Sequence, residues 1–461
     1  MRRLGSYLLL LGLGAAGFWL ACRWGAGLVP PVAVAAAGPG TPTPIPASLL
    51  HFLLALAAVV GLGGLLSRAF KRLGQSPVIG EVLAGILLGP SLLGRLAPGL
   101  EGFLLPASVA PYLGMVAQLG VILYMFQVGL DLDLSELKGR GHVTVAISHA
   151  SIILPFLLGT GLSLWLYPRY GVAGVPFTAF ALFMGVALSI TAFPVLARIL
   201  GDAGIDRTPL GVLALSCAAV DDVTAWCLLA VAMAVAGAKV GGLWVLALGL
   251  PAYLGMMLLL IRPLLLKLSS RVHGRGLGVG TLAMVLWLVL LSAVGTEALG
   301  IHAVFGAFLL GALTPHDSAL VRDFKARFKD AVAVLLLPAF FAYTGMRTQL
   351  GLLDGGAQWL ACGAIVLVAT LGKFGGAGVA GRLSGLSGRD ATALGLLMNT
   401  RGMVELIALN IGLDLGVISP TLFTMMVMMA LVTTLATVPA LRLLTPGLLR
   451  PAPGPATMPG S

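Results

Sequence analysis

Asp221 and Asp222 are adjacent carboxylates inside a mostly apolar stretch, with Leu213-Ala-Leu-Ser-Cys-Ala-Ala-Val before them and Val223-Thr-Ala-Trp-Cys-Leu-Leu-Ala after. On a helix their side chains stand about 100° apart and so face different neighbours. Taking a carboxylate out of water favours its protonated form, so such a group can exchange protons near neutral pH. Ionised, it is a hard oxygen ligand for a small cation. One group that holds either a proton or a cation is the minimal chemistry of exchange. An ion-paired device for packing helices is the structural alternative.

Three further sets of residues put charge or an irregular backbone where lipid would penalise it. Lys373 lies in Ala369-Thr-Leu-Gly-Lys-Phe-Gly-Gly behind a long apolar run. A buried ammonium needs a carboxylate partner, and Asp221 or Asp222 is the candidate; the alternative is snorkelling toward Arg382. Ser189-Ile-Thr191-Ala-Phe-Pro194 places a proline inside an apolar helix, with hydroxyls to serve the freed backbone groups. Asn399-Thr400-Arg401-Gly402 interrupts a second helix. Paired interruptions in two halves of a chain are the sequence sign of a transporter binding site. Glu81, Arg401 and Glu405 form the last set, read as a network supporting the second interruption, with Arg401 and Glu405 at i, i+4 on one face.

The elements that must carry these residues follow from composition. The 461-residue chain is 59% hydrophobic and 10% charged, with mean hydropathy +1.04. Its apolar runs of roughly 20 residues match the ~30 Å hydrocarbon core, which predicts an all-α polytopic membrane protein. Thirteen transmembrane helices are expected, near 48–67, 78–94, 109–130, 143–167, 176–199, 209–236, 242–268, 279–297, 299–314, 331–348, 357–383, 391–410 and 419–443. An additional apolar stretch within residues 1–37 reads either as a signal peptide or as an extra N-terminal helix. Residues 444–461 read as a short cytoplasmic tail.

The net charge of +11 does not point to nucleic acid, because Lys and Arg sit in short loops between apolar runs. Alternate loops carry nineteen basic residues on one side and four on the other (Arg95, Arg169, Lys239 and Arg347). That asymmetry predicts N-out, C-in for the thirteen helices. The cysteines Cys22, Cys217, Cys227 and Cys362 show no metal-binding or disulfide spacing, and no cofactor is expected.

Internal similarity divides the chain. Leu83-Ala-Gly-Ile-Leu-Leu-Gly89 matches Phe305-Gly-Ala-Phe-Leu-Leu-Gly311, and Phe126-Gln-Val-Gly-Leu130 matches Ala342-Tyr-Thr-Gly-Met346. The two interruptions fall at corresponding places. This predicts a domain over 48–443, made of repeats 48–236 and 279–443 joined by a linker helix at 242–268. An odd linker inverts the second repeat.

At these residues the chain resembles the monovalent cation:proton antiporter-2 family, over about 48–443. The resemblance rests on Pro77-Val-Ile-Gly-Glu-Val-Leu-Ala-Gly-Ile-Leu-Leu-Gly-Pro90, Ser189-Ile-Thr-Ala-Phe-Pro-Val-Leu-Ala-Arg198, Val220-Asp-Asp222 and Asn399-Thr-Arg-Gly-Met-Val-Glu-Leu406. The second and fourth also resemble the plant cation/proton exchangers. The likeness implies an NhaA-like antiporter fold of two inverted six-helix repeats with two crossing broken helices. It also implies a homodimer whose core domains move as elevators. It implies Asp222 as the site of Na+ or K+ and of the proton, Asp221 as the partner of Lys373, and Thr191 and Thr400 at the crossing. The plant exchangers usually carry Asn at the position of Asp221, so their selectivity does not transfer.

The expectation is therefore a plasma (inner) membrane antiporter exchanging Na+ or K+ for protons, electrogenic because Lys373 could release its proton when the cation occupies the site. Uptake of another solute on the same fold, or a cation channel, is the rival. An intramembrane aspartyl protease is disfavoured, since adjacent Asp221 and Asp222 cannot converge across a substrate from separate helices. A scaffold without transport gives no reason for buried acids beside two broken helices.

Overall fold

The computed structural model describes residues 2–28, 45–131, 141–237, 242–272, 278–299, 302–315 and 318–445. The tail beyond 445 and most of the region between the first two helices lie outside the described residues. The described residues are helical, with no strand among them.

The chain runs through α1 (Arg2–Gly25), α2 (Ile45–Arg72), α3 (Pro77–Leu88), the short α4 (Leu93–Leu96) and α5 (Pro98–Leu104), α6 (Ala110–Asp131) and α7 (Gly141–Tyr170). It continues through α8 (Phe177–Ser189), α9 (Phe193–Asp202), α10 (Pro209–Gly237), α11 (Gly242–Met256), α12 (Arg262–Val272), α13 (Val279–Ala298) and α14 (Ala303–Leu313). The remaining helices are α15 (Ala319–Ala331), α16 (Leu337–Arg347), α17 (Gly356–Leu383), α18 (Gly388–Met398), α19 (Met403–Asp414) and α20 (Pro420–Leu444). Single π-helical turns at Met257–Ile261 and Val332–Leu336 join α11 to α12 and α15 to α16. Ten helical stretches among the described residues are long and apolar enough to cross a membrane.

Boundaries differ from the hydropathy reading where polar or special residues intervene. The stretch expected at 78–94 closes at Leu88, because Gly89 leaves helical geometry (φ −85°, ψ −169°) and Pro90 follows. The helix expected at 331–348 begins at Ala319 instead. Its first half, α15, buries Leu320, Val321 and Phe324 but also carries Arg322, Lys325, Arg327 and Lys329, so hydropathy alone registers only the apolar half.

Packing is closest where glycines let backbones meet. A Cβ on Gly85 would strike the Ala342 backbone, and one on Gly345 would lie 2.5 Å from Val82 O, pressing α3 onto α16. The same happens between α6 and α14, where Gly129 meets Phe308 O and Gly311 meets Phe126 O. The motif shared by α3 and α14 thus packs on the motif shared by α16 and α6, in both cases. On the other side of the molecule α7 lies along α17, and α1 rests on α7 and α8 through Gly14, Gly17 and Gly25. The helices that meet at α7 and α17 position the site.

Candidate functional site

Both interruptions are real breaks. Helix α8 ends at Ser189, residues 190–192 are extended, and α9 starts at Phe193 with Pro194 in its first turn, where a missing N–H costs nothing. Helix α18 ends at Met398, and α19 restarts at Met403 after Asn399, Thr400, Arg401 and Gly402. The two breaks touch: Ala192 N donates to Thr400 O at 3.0 Å, and the Thr191 hydroxyl reaches Met398 O at 3.2 Å. Four half-helix ends therefore meet in the interior, and their backbone groups must be satisfied there.

Arg401 satisfies one end. Its guanidinium donates to the carbonyls of Ala187 (3.2 Å), Ile190 (2.7 Å) and Leu188 (2.6 Å), the negative end of α8. Its own backbone is fixed to α20, since Thr434 accepts from Arg401 N (3.0 Å) and donates to Arg401 O (2.8 Å). Glu405, on the first turn of α19, stands 3.5 Å from the guanidinium, but neither of its buried oxygens completes a hydrogen bond. Thr400 is buried, with its hydroxyl donating to Leu397 O at 2.9 Å, and Asn399 Oδ1 is buried without a partner.

Beside the breaks, α10 presents the two aspartates, and they are treated very differently. Asp221 is saturated. Its Oδ1 accepts from Ser148 at 2.5 Å; its Oδ2 accepts from Ser151, Thr191 and Lys373, each at 2.8 Å. Lys373 also donates to the Thr191 hydroxyl at 2.5 Å, so Thr191 joins the first break to both charges. Asp221, Lys373, Thr191, Ser148 and Ser151 are all fully buried. Asp222 is 2% exposed, and neither of its oxygens has a hydrogen-bond partner. The Phe193 N–H, at the positive end of α9, points toward it without completing a bond.

The structure thus gathers Asp221, Asp222, Lys373 and Thr191 in one place, with Arg401 and Glu405 on the other flank of the breaks. Glu81, on α3, accepts from the Ser67 hydroxyl of α2 at 3.1 Å. Arg401 is held by the α8 carbonyls, a partner set that side-chain types do not reveal. Ser148 and Ser151 carry no signature of a site in the sequence. Two serines three apart in an apolar helix are a weak signal, and only the fold shows that they converge on Asp221.

Likeness to known proteins places the chain in a family. Residues 53–444 match the family described as sodium/hydrogen exchanger, transmembrane. The Na+/H+ antiporter NhaS4 of Synechocystis sp. is 46% identical over 396 residues, covering 85% of this chain and 96% of that protein. The chain belongs to the sodium/hydrogen exchanger family. It is therefore a multi-pass membrane antiporter rather than an enzyme. Cation/H+ antiporter 19 of Arabidopsis thaliana is 38% identical to the exchanger, and K+/H+ antiporter 1 of Saccharomyces cerevisiae is 31% identical. The exchanger spans about half the length of each, 50% and 47%. Among solved structures, the sodium proton antiporter MjNhaP1 from Methanocaldococcus jannaschii overlays with a TM-score of 0.58 at 16% identity, over 88% of the exchanger and 100% of that chain. That overlay concerns the fold alone.

Proposed function

We propose that the chain exchanges Na+ or K+ for protons by alternating access, with Asp222 as the group that holds cation and proton in turn. The observation that carries this is the pair of buried, unpartnered Asp222 oxygens beside a fully partnered Asp221. An ionised carboxylate without donors in a dry interior is costly, and either a proton or a cation relieves that cost. Proton and cation therefore compete for one place. An organic anion fits poorly: Arg401 already serves the α8 carbonyls and Lys373 serves Asp221, so neither cation is free to receive it.

The cation also needs Asp221 oxygens that Lys373 covers. Displacing the ammonium in a desolvated site favours loss of its proton, and the cycle then moves more than one proton per cation. Electrogenic exchange follows.

For the movement we propose an elevator, in which α7–α10 and α17–α20 form the core and slide against α2, α3, α6 and α13–α16. The reciprocal glycine contacts of α3 with α16 and α6 with α14 support two inverted repeats that intertwine in the scaffold. Thirteen crossings, N-out and C-in, in the plasma membrane, and a homodimer formed through the scaffold complete the proposal.

Reconstitution into liposomes tests it. With a pH gradient imposed, wild-type protein drives uphill cation movement, which a channel does not. Asp222→Asn abolishes cation-dependent proton flux, and flux that survives the change sinks the site assignment. Transport indifferent to an imposed membrane potential sinks the stoichiometry.

A further inference from the structure

Ser148 and Ser151 are buried one helical turn apart on α7, and each donates to a different oxygen of Asp221. Together with Thr191 they give that carboxylate three hydroxyl partners besides Lys373. Such a set is more than a lysine-paired aspartate requires. Its effect is that Asp221 keeps its position when the ammonium moves away.

The distance of α7 from the rest of the site is fixed by backbone packing. Gly372 and Gly376 flank Lys373 on α17 and face α7. A Cβ at Gly372 would lie 2.6 Å from the Cα of Pro155, and one at Gly376 would strike Ala150 O and stand 3.1 Å from the Cα of Ser151. Helix α7 therefore cannot approach α17 further, and any larger residue at 376 must push it away. The serines ride on a helix set by hard contact, not by adaptable side chains. Discrimination between hard cations depends on the size, ligand number and rigidity of the oxygen set. An oxygen set held by backbone contact does not expand to suit a larger ion.

We infer that Ser148 and Ser151, held at their distance by Gly372 and Gly376, are positioning residues that make the exchanger prefer Na+ to K+. They act through Asp221, whose oxygens they fix beside Asp222. This rests on the assignment of Asp222 as the cation site and adds to it the element that sets selectivity.

The test is transport in proteoliposomes at one pH, with KM and maximal rate measured separately for Na+ and K+. Ser151→Ala removes one donor to a charged group, which permits an effect of about tenfold in affinity. The expected result is a KM for Na+ raised about tenfold while that for K+ changes little, so the preference collapses. Ser151→Thr keeps the hydroxyl and retains the preference. Gly376→Ala moves α7 outward and shifts the ratio toward K+ by a route that leaves every hydroxyl in place. Equal changes for both ions in Ser151→Ala and Gly376→Ala, or an unchanged ratio in both, overturn the inference. Loss of all transport in Asp222→Asn with a normal ratio in the serine variants refutes the inference alone; surviving transport in Asp222→Asn refutes the site beneath it.

Discussion

Asp221 and Lys373 form a buried ion pair whose two halves are unequally supported, and this predicts unequal costs for removing them. Lys373→Met leaves Asp221 with the hydroxyls of Ser148, Ser151 and Thr191. Hydrogen bonds to charged groups contribute about 1.5–3 kcal/mol each, so the carboxylate keeps most of its stabilisation and the variant loses roughly 1–3 kcal/mol. Asp221→Asn leaves Lys373 with neutral acceptors only, the Thr191 hydroxyl at 2.5 Å and the amide oxygen at 221. An orphaned buried charge costs about 3–5 kcal/mol, and the three hydroxyls lose their charged acceptor as well. Asp221→Asn is therefore the more damaging change by roughly 2 kcal/mol. Removing the stranded ammonium recovers part of that loss, so the double variant is more stable than Asp221→Asn alone. Thermal unfolding of detergent-purified protein, followed by the fraction that stays monodisperse, gives the order. If Lys373→Met unfolds at or below the midpoint of Asp221→Asn, or the double variant is the least stable of the three, the asymmetry argued from the hydroxyls is wrong.

Other outcomes follow from the same geometry. Asp222→Asn removes an unpartnered buried charge, so it raises the thermal midpoint while abolishing transport; a lower midpoint would mean that the carboxylate is satisfied in the folded protein. Arg401→Ala strips the carbonyls of Ala187, Leu188 and Ile190 and leaves Glu405 unbalanced, for a loss of about 3–5 kcal/mol. Arg401→Lys fails to rescue it, because a point charge cannot span three carbonyls as a planar fork does; recovery of full stability in the lysine variant would contradict the capping role. Gly129→Val drives a side chain into Phe308 O and separates α6 from α14, which lowers the yield of folded protein without a selective change in cation affinity.

What the sequence reveals of the site depends on how far a residue stands out from its surroundings. Asp221, Asp222 and Lys373 are charges in apolar runs, and Pro194 and Gly402 break helical patterns, so each announces itself. Ser148 and Ser151 do not, since hydroxyls in a membrane helix commonly return to their own backbone, as Ser163 does to Gly159 O. Sequence spacing found the i, i+4 relation of Arg401 and Glu405 but not the main partners of Arg401. Those are backbone carbonyls more than two hundred residues away, and carbonyls have no signature in sequence. Glu81, which follows Pro77-Val-Ile-Gly at the start of a helix, reads in the sequence as a member of the Arg401 and Glu405 network. Which helix such a group faces is set by packing, and α3 turns Glu81 toward Ser67 on α2. Hydropathy likewise located the apolar half of the rod formed by α15 and α16 and missed the amphipathic half.

The balance of charge at the breaks bears on the proposal that Asp222 holds a cation as well as a proton. Among the described residues, five charged side chains are buried around the crossing: Asp221, Asp222 and Glu405 against Lys373 and Arg401. Lys373 is spent on Asp221, and Arg401 is spent on the end of α8 with Glu405 nearby. With all five ionised the site carries one excess negative charge, and it falls on Asp222, the only aspartate of the pair without donors. A proton removes that excess by neutralising the carboxylate. A monovalent cation removes it by pairing with the carboxylate. For a given protonation state of Lys373 either loaded form carries one negative charge fewer than the empty site, and the cost of moving a charged core through a low-dielectric barrier is greatest for the empty form. In the proposed elevator that difference couples the two ions: a core that moves readily only when loaded returns with a proton or with a cation, and seldom with neither.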